Sequence, residues 1–167
     1  MSDTDNPGGF MSKHDWDDED KEDFWKPIKV AGRDLYNKSI DILNLSSTIC
    51  DLLDDAEDGK LTQQLIMENA YRIPAKIRGG MAVDEVYSLV MENAVIIKVN
   101  ISELKAQLWA CEEINGIEKK YVDVLKEEIA IFKTLFITWV KCFDKSNDHP
   151  DDWWLFNNPE SFTDDDE

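Results

Sequence analysis

Apolar residues return with a helical period along four successive stretches of the chain. The first stretch has an apolar residue at every seventh position, at Ile28, Leu35, Ile42 and Ile49. This spacing predicts an amphipathic helix that packs along one face. Pro27 fits the first turn of such a helix, where the missing N–H of proline is not needed.

The second stretch, from Leu61 to Gly80, predicts a shorter helix that contains a proline. Its apolar face is formed by Ile66, Ala70, Ile73 and Ile77. We expect Pro74 to kink this helix, because proline removes a backbone donor and crowds the preceding turn. Asp58-Gly59 predicts a turn before the helix. Gly79-Gly80 predicts its end, because glycine favours the left-handed turn that closes many helices.

The last two stretches have the most regular heptads. We expect the third helix to begin in residues 81–86 and to end at Asn115-Gly116. Two heptad series are expected to form its core: Val83, Val90, Ile97, Leu104 and Cys111, and Tyr87, Ala94, Ile101 and Leu108. The fourth helix is predicted from Glu118 to Phe143, with a core of Val122, Leu125, Ile129, Phe132, Phe136, Trp139 and Phe143. The sequence therefore predicts an all-α fold, an antiparallel up-down four-helix bundle.

Two of the predicted helices carry short motifs of a known family. The second helix has the set Gln64, Leu65, Ala70, Ile73, Pro74, Ala75, Ile77 and Gly80, and the third has Glu103, Leu104, Gln107 and Leu108. Over about residues 35–143 the chain resembles the four-helix-bundle family of 23S rRNA-intervening-sequence proteins. That family includes the accessory variability proteins of diversity-generating retroelements. The chain departs from the family pattern at Arg72, Lys76, Gly79 and Asn100, where Ser, Asn, Glu and Ser are usual. The resemblance implies a homopentamer whose partner is a reverse transcriptase or structured RNA.

Charge is distributed unevenly and divides the chain into three parts. Of a net charge of −18, residues 1–23 contribute −7 (2 basic, 9 acidic), residues 144–167 contribute −8 (1 basic, 9 acidic) and residues 24–143 only −3. We expect 1–23 and 144–167 to be acidic, largely disordered tails and 24–143 to form the bundle. The overall negative charge opposes binding to phosphates, because such binding needs clustered Lys and Arg. RNA binding by a local patch on the body remains open.

Two basic groups on the body are candidates for binding RNA or a partner protein. Arg72, Lys76 and Arg78 lie near the end of the second helix, and Lys119, Lys126 and Lys133 recur every seven residues along the fourth. The alternative is an ordinary solvated helix face, with pairs such as Glu68 and Arg72 four positions apart.

Apolar and aromatic residues outside the core stripes suggest further contacts. The fourth helix has a second apolar set, which predicts an oligomer interface or a surface covered by the C-terminal segment: Val124, Ile131, Leu135, Ile137 and Val140. The acidic tails contain aromatic residues that we expect to dock on the body or on a partner: Trp16, Trp25, Trp153, Trp154 and Phe156.

The residues that catalysis or metal binding would need are few. The two histidines, His14 and His149, both lie in the tails, so no Ser/His/Asp or Cys/His set can be built from the body. The three cysteines have no zinc or disulfide spacing. We expect no enzyme activity, no metal and no cofactor. The N-terminal residues lack signal-peptide features and no apolar run has bilayer length, so we expect a soluble cytoplasmic protein.

These observations favour a non-catalytic, oligomeric adaptor or scaffold. By resemblance, it would bind a reverse transcriptase, structured RNA or both. The alternative is a protein-binding regulator whose acidic tails mimic nucleic acid and which binds no RNA itself. A small-molecule carrier is less favoured, because large residues such as Phe132, Phe136 and Trp139 fill the predicted bundle interior.

Overall fold

The fold is all-α in the computed structural model, which describes residues 23–53, 57–149 and 151–162. It contains α1 (Pro27–Leu52), α2 (Glu57–Ala82), α3 (Tyr87–Glu113) and α4 (Lys119–Val140), followed by a short 3-10 turn at Pro159–Phe162. None of the residues in these ranges forms a β-strand. The predicted fold class is confirmed.

The four helices form a closed ring of neighbours. Each helix packs against the next in the chain, and α1 also packs against α4. The start of α1 meets the end of α2, since Lys29 Nζ donates to the carbonyl of Met81 at 3.1 Å. The backbone N–H of Tyr87, at the start of α3, donates to the carbonyl of Asn147, just beyond α4. These contacts define an upper end of the bundle, where α1 and α3 begin and α2 and α4 end.

Most of the predicted heptad positions lie in the core, although Ile28 and Phe136 are only partly buried and residues that were not predicted, such as Tyr36 and Ile40, also belong to it. Burial of one such aliphatic side chain stabilises the fold by roughly 1.5–3 kcal/mol. The fully buried members include Leu35, Ile42, Ile66, Ile73, Ile77, Ile97, Leu104, Leu108, Leu125 and Trp139. The amphipathic pattern therefore located the core on all four helices.

The predicted boundaries of α2 are wrong at both ends. The helix begins at Glu57, so Asp58-Gly59 lies in its first turn, and it continues through Pro74 and Gly79-Gly80 to Ala82. Neither glycine of that pair has a positive φ. A Cβ built on Gly80 would lie 2.8 Å from Cη2 of Trp139. Glycine is needed there for the close approach of α4 and not for a left-handed turn.

α3 begins later than the heptad pattern predicts. Residues 83–86 form a turn, and Val83 therefore precedes the helix. Asp84 in this turn pairs with Lys29 on α1 at 3.0 Å, so the turn is held against the start of α1. At the other end, Gly116 has a φ of 71°, as expected of the predicted stop.

Part of the C-terminal tail is folded. α4 ends at Val140, short of the predicted Phe143. The Asp148 carboxylate then accepts hydrogen bonds from the backbone N–H (3.0 Å) and the hydroxyl (2.7 Å) of Ser88. The segment is thus attached to the start of α3. Residues 1–22 and 163–167 lie outside the described residues, and the disorder expected there stays a prediction.

Candidate binding groove between α3 and α4

An open groove runs along the seam between α3 and α4. These two helices share the fewest close contacts of the four neighbouring pairs. The space between them has a volume of about 570 Å³. Its apolar lining consists of Ile97, Ile101, Ile129, Ala130, Phe132, Phe136 and Ile137. The volume is within the usual range of small-ligand sites, and the open side leaves room for a longer occupant.

Four lysines border this apolar floor: Lys98 and Lys105 on α3, and Lys126 and Lys133 on α4. Each lysine directly follows a buried core residue. Successive residues of a helix are rotated by about 100° around its axis, so each lysine side chain points to the side of the core-facing residue. Because the two helices are antiparallel, the same offset brings both lysine pairs to one seam. We call these four residues the lysine rims.

The lysine rims are only partly neutralised by nearby carboxylates. Lys126 donates to the carboxylate of Glu112 on α3. In the ranges that the structure describes, Lys98, Lys105 and Lys133 form no ion pair. The groove therefore combines an apolar floor with excess positive charge. This arrangement suits an elongated ligand that carries both apolar and anionic groups.

Sequence reasoning identified only half of the lysine rims. It singled out Lys126 and Lys133 from their seven-residue spacing and missed Lys98 and Lys105. The same signal was present on α3, where these two lysines are also seven positions apart and follow Ile97 and Leu104. Only the packing of α3 beside α4 shows that the two pairs face a common groove.

The other basic candidates lie elsewhere and are mostly paired. Lys119 is exposed and binds Asp123 at 2.7 Å. Arg72 pairs with Glu68 on the same helix, as the solvated-face alternative proposed. The Arg78 guanidinium lies 5.9 Å from the ring centroid of Tyr36 on α1.

Arg72, Lys76 and Arg78 do not form a compact cluster. Six helical positions separate the directions of Arg72 and Arg78 by about 120°. Lys76 is half-buried and projects within about 40° of Arg72. Arg72 and Lys76 therefore share a face, while Arg78 points toward α1.

The five apolar candidates on α4 have three different environments. Ile137 lines the groove. Leu135 and Val140 are partly buried against the core. Val124 and Ile131 are 48% and 47% exposed and lie one heptad apart. Of the five, these last two are the members that remain available for a contact on the outer face of α4.

The aromatic tail candidates also differ in their environments. Trp25 and Trp153 are 72% and 77% exposed. Trp154 packs on Phe162 with ring centroids 5.7 Å apart. Phe156 is partly buried in a small cleft beside Ser88 and Asp148. Trp16 lies outside the described residues.

Cysteine and carboxylate chemistry adds little to this surface. Burial raises the pKa of both Cys50 and Cys111 to about 11, so their thiols are protonated at neutral pH.

No three histidine, cysteine or acidic side chains meet as a possible metal site within 23–53, 57–149 and 151–162. In the same ranges, no helix has the length and apolar character needed to cross a bilayer. The interactions that the groove can provide are ionic and apolar contacts.

No family model, curated protein or solved structure matches this chain. The family resemblance therefore stays a prediction. Several residues that carry it are buried packing residues, among them Ala70, Ile73, Ile77, Leu104 and Leu108. Gln107 also accepts a hydrogen bond from Asn69 at 3.2 Å, which joins the two helices that contain the motifs.

Proposed function

We propose that the protein is a non-catalytic adaptor that assembles with copies of itself and binds an anionic macromolecule along the α3–α4 groove. The single observation that supports this most is the presence of four lysines around one groove in a nearly neutral body. The family resemblance favours structured RNA, or a reverse transcriptase together with its RNA, as the partner. Arg72 and Lys76 supply a second, weaker basic surface on α2.

Assembly would multiply the lysine rims. One chain offers four lysines, which is few for a polyanion, whereas several copies in one particle bind with the advantage of multivalency. Of the apolar α4 residues outside the core stripe, Val124 and Ile131 are exposed on the outer face of the helix, so this face is open to a contact with another subunit. The resemblance favours five subunits, and five chains of 19.3 kDa give about 96 kDa.

The proposal is tested on the full chain purified gently from its own cells, by native mass spectrometry and by assay of the bound nucleic acid. We expect a particle of several subunits that carries RNA or a polymerase. The substitutions Lys98→Glu, Lys105→Glu and Lys133→Glu together should remove that cargo, because they reverse the charge of the groove. A bare 19.3 kDa monomer, or cargo that survives the triple substitution, would contradict the proposal.

A matched control changes the net charge equally but leaves the groove intact. Lys60, Lys120 and Lys145 are exposed and do not line the groove. Their joint replacement by glutamate should leave the cargo bound. A further variant with Arg72→Glu and Lys76→Glu measures the contribution of the α2 surface separately.

A second candidate function is favoured by the C-terminal segment. Trp153 and Leu155 are 77% and 66% exposed although the segment is attached to α3, and Asp151 and Asp152 stand beside them. Such an acidic, aromatic surface could occupy the basic site of a protein partner, as a mimic of nucleic acid. Replacing Trp153 by Ala and both aspartates by Asn would abolish partner capture in this case. In the adaptor case it would leave RNA binding equal or stronger.

A further inference from the structure

The α3–α4 groove has an unusual combination of features for a surface exposed to solvent. Its floor is apolar, and Ile101, Phe136 and Ile137 remain partly or fully accessible along it. Three of its four bordering lysines have no carboxylate partner among the described residues. An occupant of the groove would need apolar side chains flanked by several carboxylates.

The N-terminal residues of the same chain have this composition. From Asp15 to Glu22 there are six acidic residues and one basic residue, a net charge of −5. Trp16 lies inside this acidic run, and Phe10 and Met11 precede it. The charge is opposite in sign to the lysine rims and similar to them in size.

The place where this segment joins the bundle is fixed. Arg33 donates a 2.7 Å hydrogen bond to the carbonyl of Phe24, and its guanidinium lies 3.5 Å from the centroid of the Phe24 ring. Asp23 pairs with Lys26 at 2.9 Å. Asp23, the first residue of this part that the structure describes, therefore lies at the upper end of the bundle, beside the start of α1.

The segment is long enough to reach the whole groove. The groove begins at Ile97, about 15 Å along α3 from its start, and Lys105 lies about 27 Å from the start. Neighbouring helix axes are about 8–10 Å apart. The 13 residues from Phe10 to Glu22 extend up to about 43 Å, which covers these distances. Residues 163–167 are also acidic, but five residues reach only about 16 Å, too short to extend along the groove to Lys105.

We infer that residues 10–22 dock in the α3–α4 groove of their own chain, with the acidic residues on the part of the lysine rims nearest the upper end and the aromatic residues on the apolar floor. The regulatory meaning of this contact rests on the proposed function. A tethered segment acts at an effective concentration in the millimolar range, so it competes with any anionic partner for the same lysines. Binding of a polyanion would then require displacement of the segment.

Docking is tested by paramagnetic broadening in the full chain, after bound nucleic acid has been removed. A nitroxide is attached at Ser12→Cys, in a chain whose half-exposed Cys142 is replaced by Ser. Cys50 and Cys111 are buried and stay unlabelled. We expect the methyl signals of groove residues Ile101, Ile129 and Ile137 to lose more than half of their intensity. Ile49 and Ile66, near the other end of α1 and α2, should keep theirs.

The charge-reversal variants decide whether the lysine rims cause the docking. Joint replacement of Lys98, Lys105 and Lys133 by Glu should restore the groove methyl signals. The matched replacement of Lys60, Lys120 and Lys145 should leave them broadened. Three results would overturn the inference. They are equal broadening of all isoleucine methyl signals, no broadening at all, and broadening that survives the groove substitutions. The dispersion of the methyl spectrum shows in the same data that each variant is folded.

A mixed sample separates docking within one chain from docking between copies. Isotope-labelled chains without nitroxide are mixed with unlabelled chains that carry it. Docking within one chain predicts no loss of signal in this sample, and loss at the groove methyls would overturn that claim. Because the measurement is made without a partner, it can succeed or fail independently of the RNA-binding test.

Discussion

Gly80 lies where the backbone of α2 meets the ring of Trp139, and its missing side chain makes room for the largest residue of the core. The glycine beside it has a different environment. A Cβ on Gly79 would lie 3.1 Å from Oδ1 of Asn93, which belongs to a half-exposed side chain that can move. Two adjacent glycines thus differ in what a methyl group would meet.

We predict opposite effects for alanine at these two positions. Gly80→Ala should lower the free energy of unfolding by about 1–3 kcal/mol, because the new methyl group crowds a buried indole. Gly79→Ala should be neutral or stabilising by up to about 1 kcal/mol, because alanine favours the helix. Chemical denaturation measures both. If both substitutions lowered the free energy of unfolding by similar amounts, the contact with Trp139 would not explain the result. The two glycines would then act together, through the conformation of the helix backbone.

The start of α3 shows how one element depends on a distant segment. Val86, at its N-cap, provides no side-chain cap. The carbonyl of Asn147 and the carboxylate of Asp148 accept the hydrogen bonds of Tyr87 and Ser88 instead. Burial would raise the pKa of Asp148, but the hydrogen bonds from Ser88, His149 and Asn157 outweigh it, and the net pKa is lowered.

We predict that Asp148→Ala destabilises the start of α3 by about 1 kcal/mol, a typical effect of losing a helix cap. Amide hydrogen exchange should speed up at Tyr87 and Ser88, and the tryptophan fluorescence of the chain should change as the segment that contains Trp154 detaches. Asp152→Ala is the control, because no hydrogen bond of that carboxylate appears in the described chain. Unchanged exchange at Ser88 would contradict the role of the cap.

The same contact should weaken in acid. Because the pKa of Asp148 is lower in the folded chain than its ordinary value of 3.8, its contribution is complete above about pH 4. The contribution is lost as the pH falls through the lowered pKa. Exchange at Ser88 should therefore show an acid-dependent step that is absent in Asp148→Ala.

Sequence periodicity predicted the elements well and their boundaries less well. Positions such as Leu35, Ile73, Ile97 and Leu125 are buried as expected, because a helix in a bundle needs one apolar face. The C-terminal end of α2 was missed because the approach of Trp139, and not a turn, requires Gly80. The groove could not be predicted, because the width of a seam depends on how two helices pack.

At the scale of the molecule, charge is separated into an acidic periphery and a partly basic groove. The net charge of −18 would repel a polyanion at long range, whereas the lysine rims attract it at short range. Salt screens both effects over about 8–10 Å at moderate ionic strength. Any RNA affinity should therefore depend on local contacts and on the state of the acidic segments.

We predict a measurable salt signature for the groove. Each lysine that neutralises a phosphate contributes about −0.7 to −0.9 to the slope of log affinity against log salt, the larger value applying to duplex. Lys133→Gln should make that slope shallower by about this amount, whereas Lys60→Gln should leave it unchanged. Titration of a structured RNA at several salt concentrations measures both slopes, and equal slopes would exclude Lys133 as a phosphate contact.

The bond between Ser88 and Asp148 joins residues 60 positions apart, which has a consequence for the order in which the protein matures. During synthesis the sequences of all four helices emerge before Asp148 does. The first turn of α3 must therefore wait for a stretch of chain made after α4, although its own residues were made much earlier. A chain truncated after Val140 would contain every helix of the bundle but leave two amides at the start of α3, those of Tyr87 and Ser88, without their acceptors.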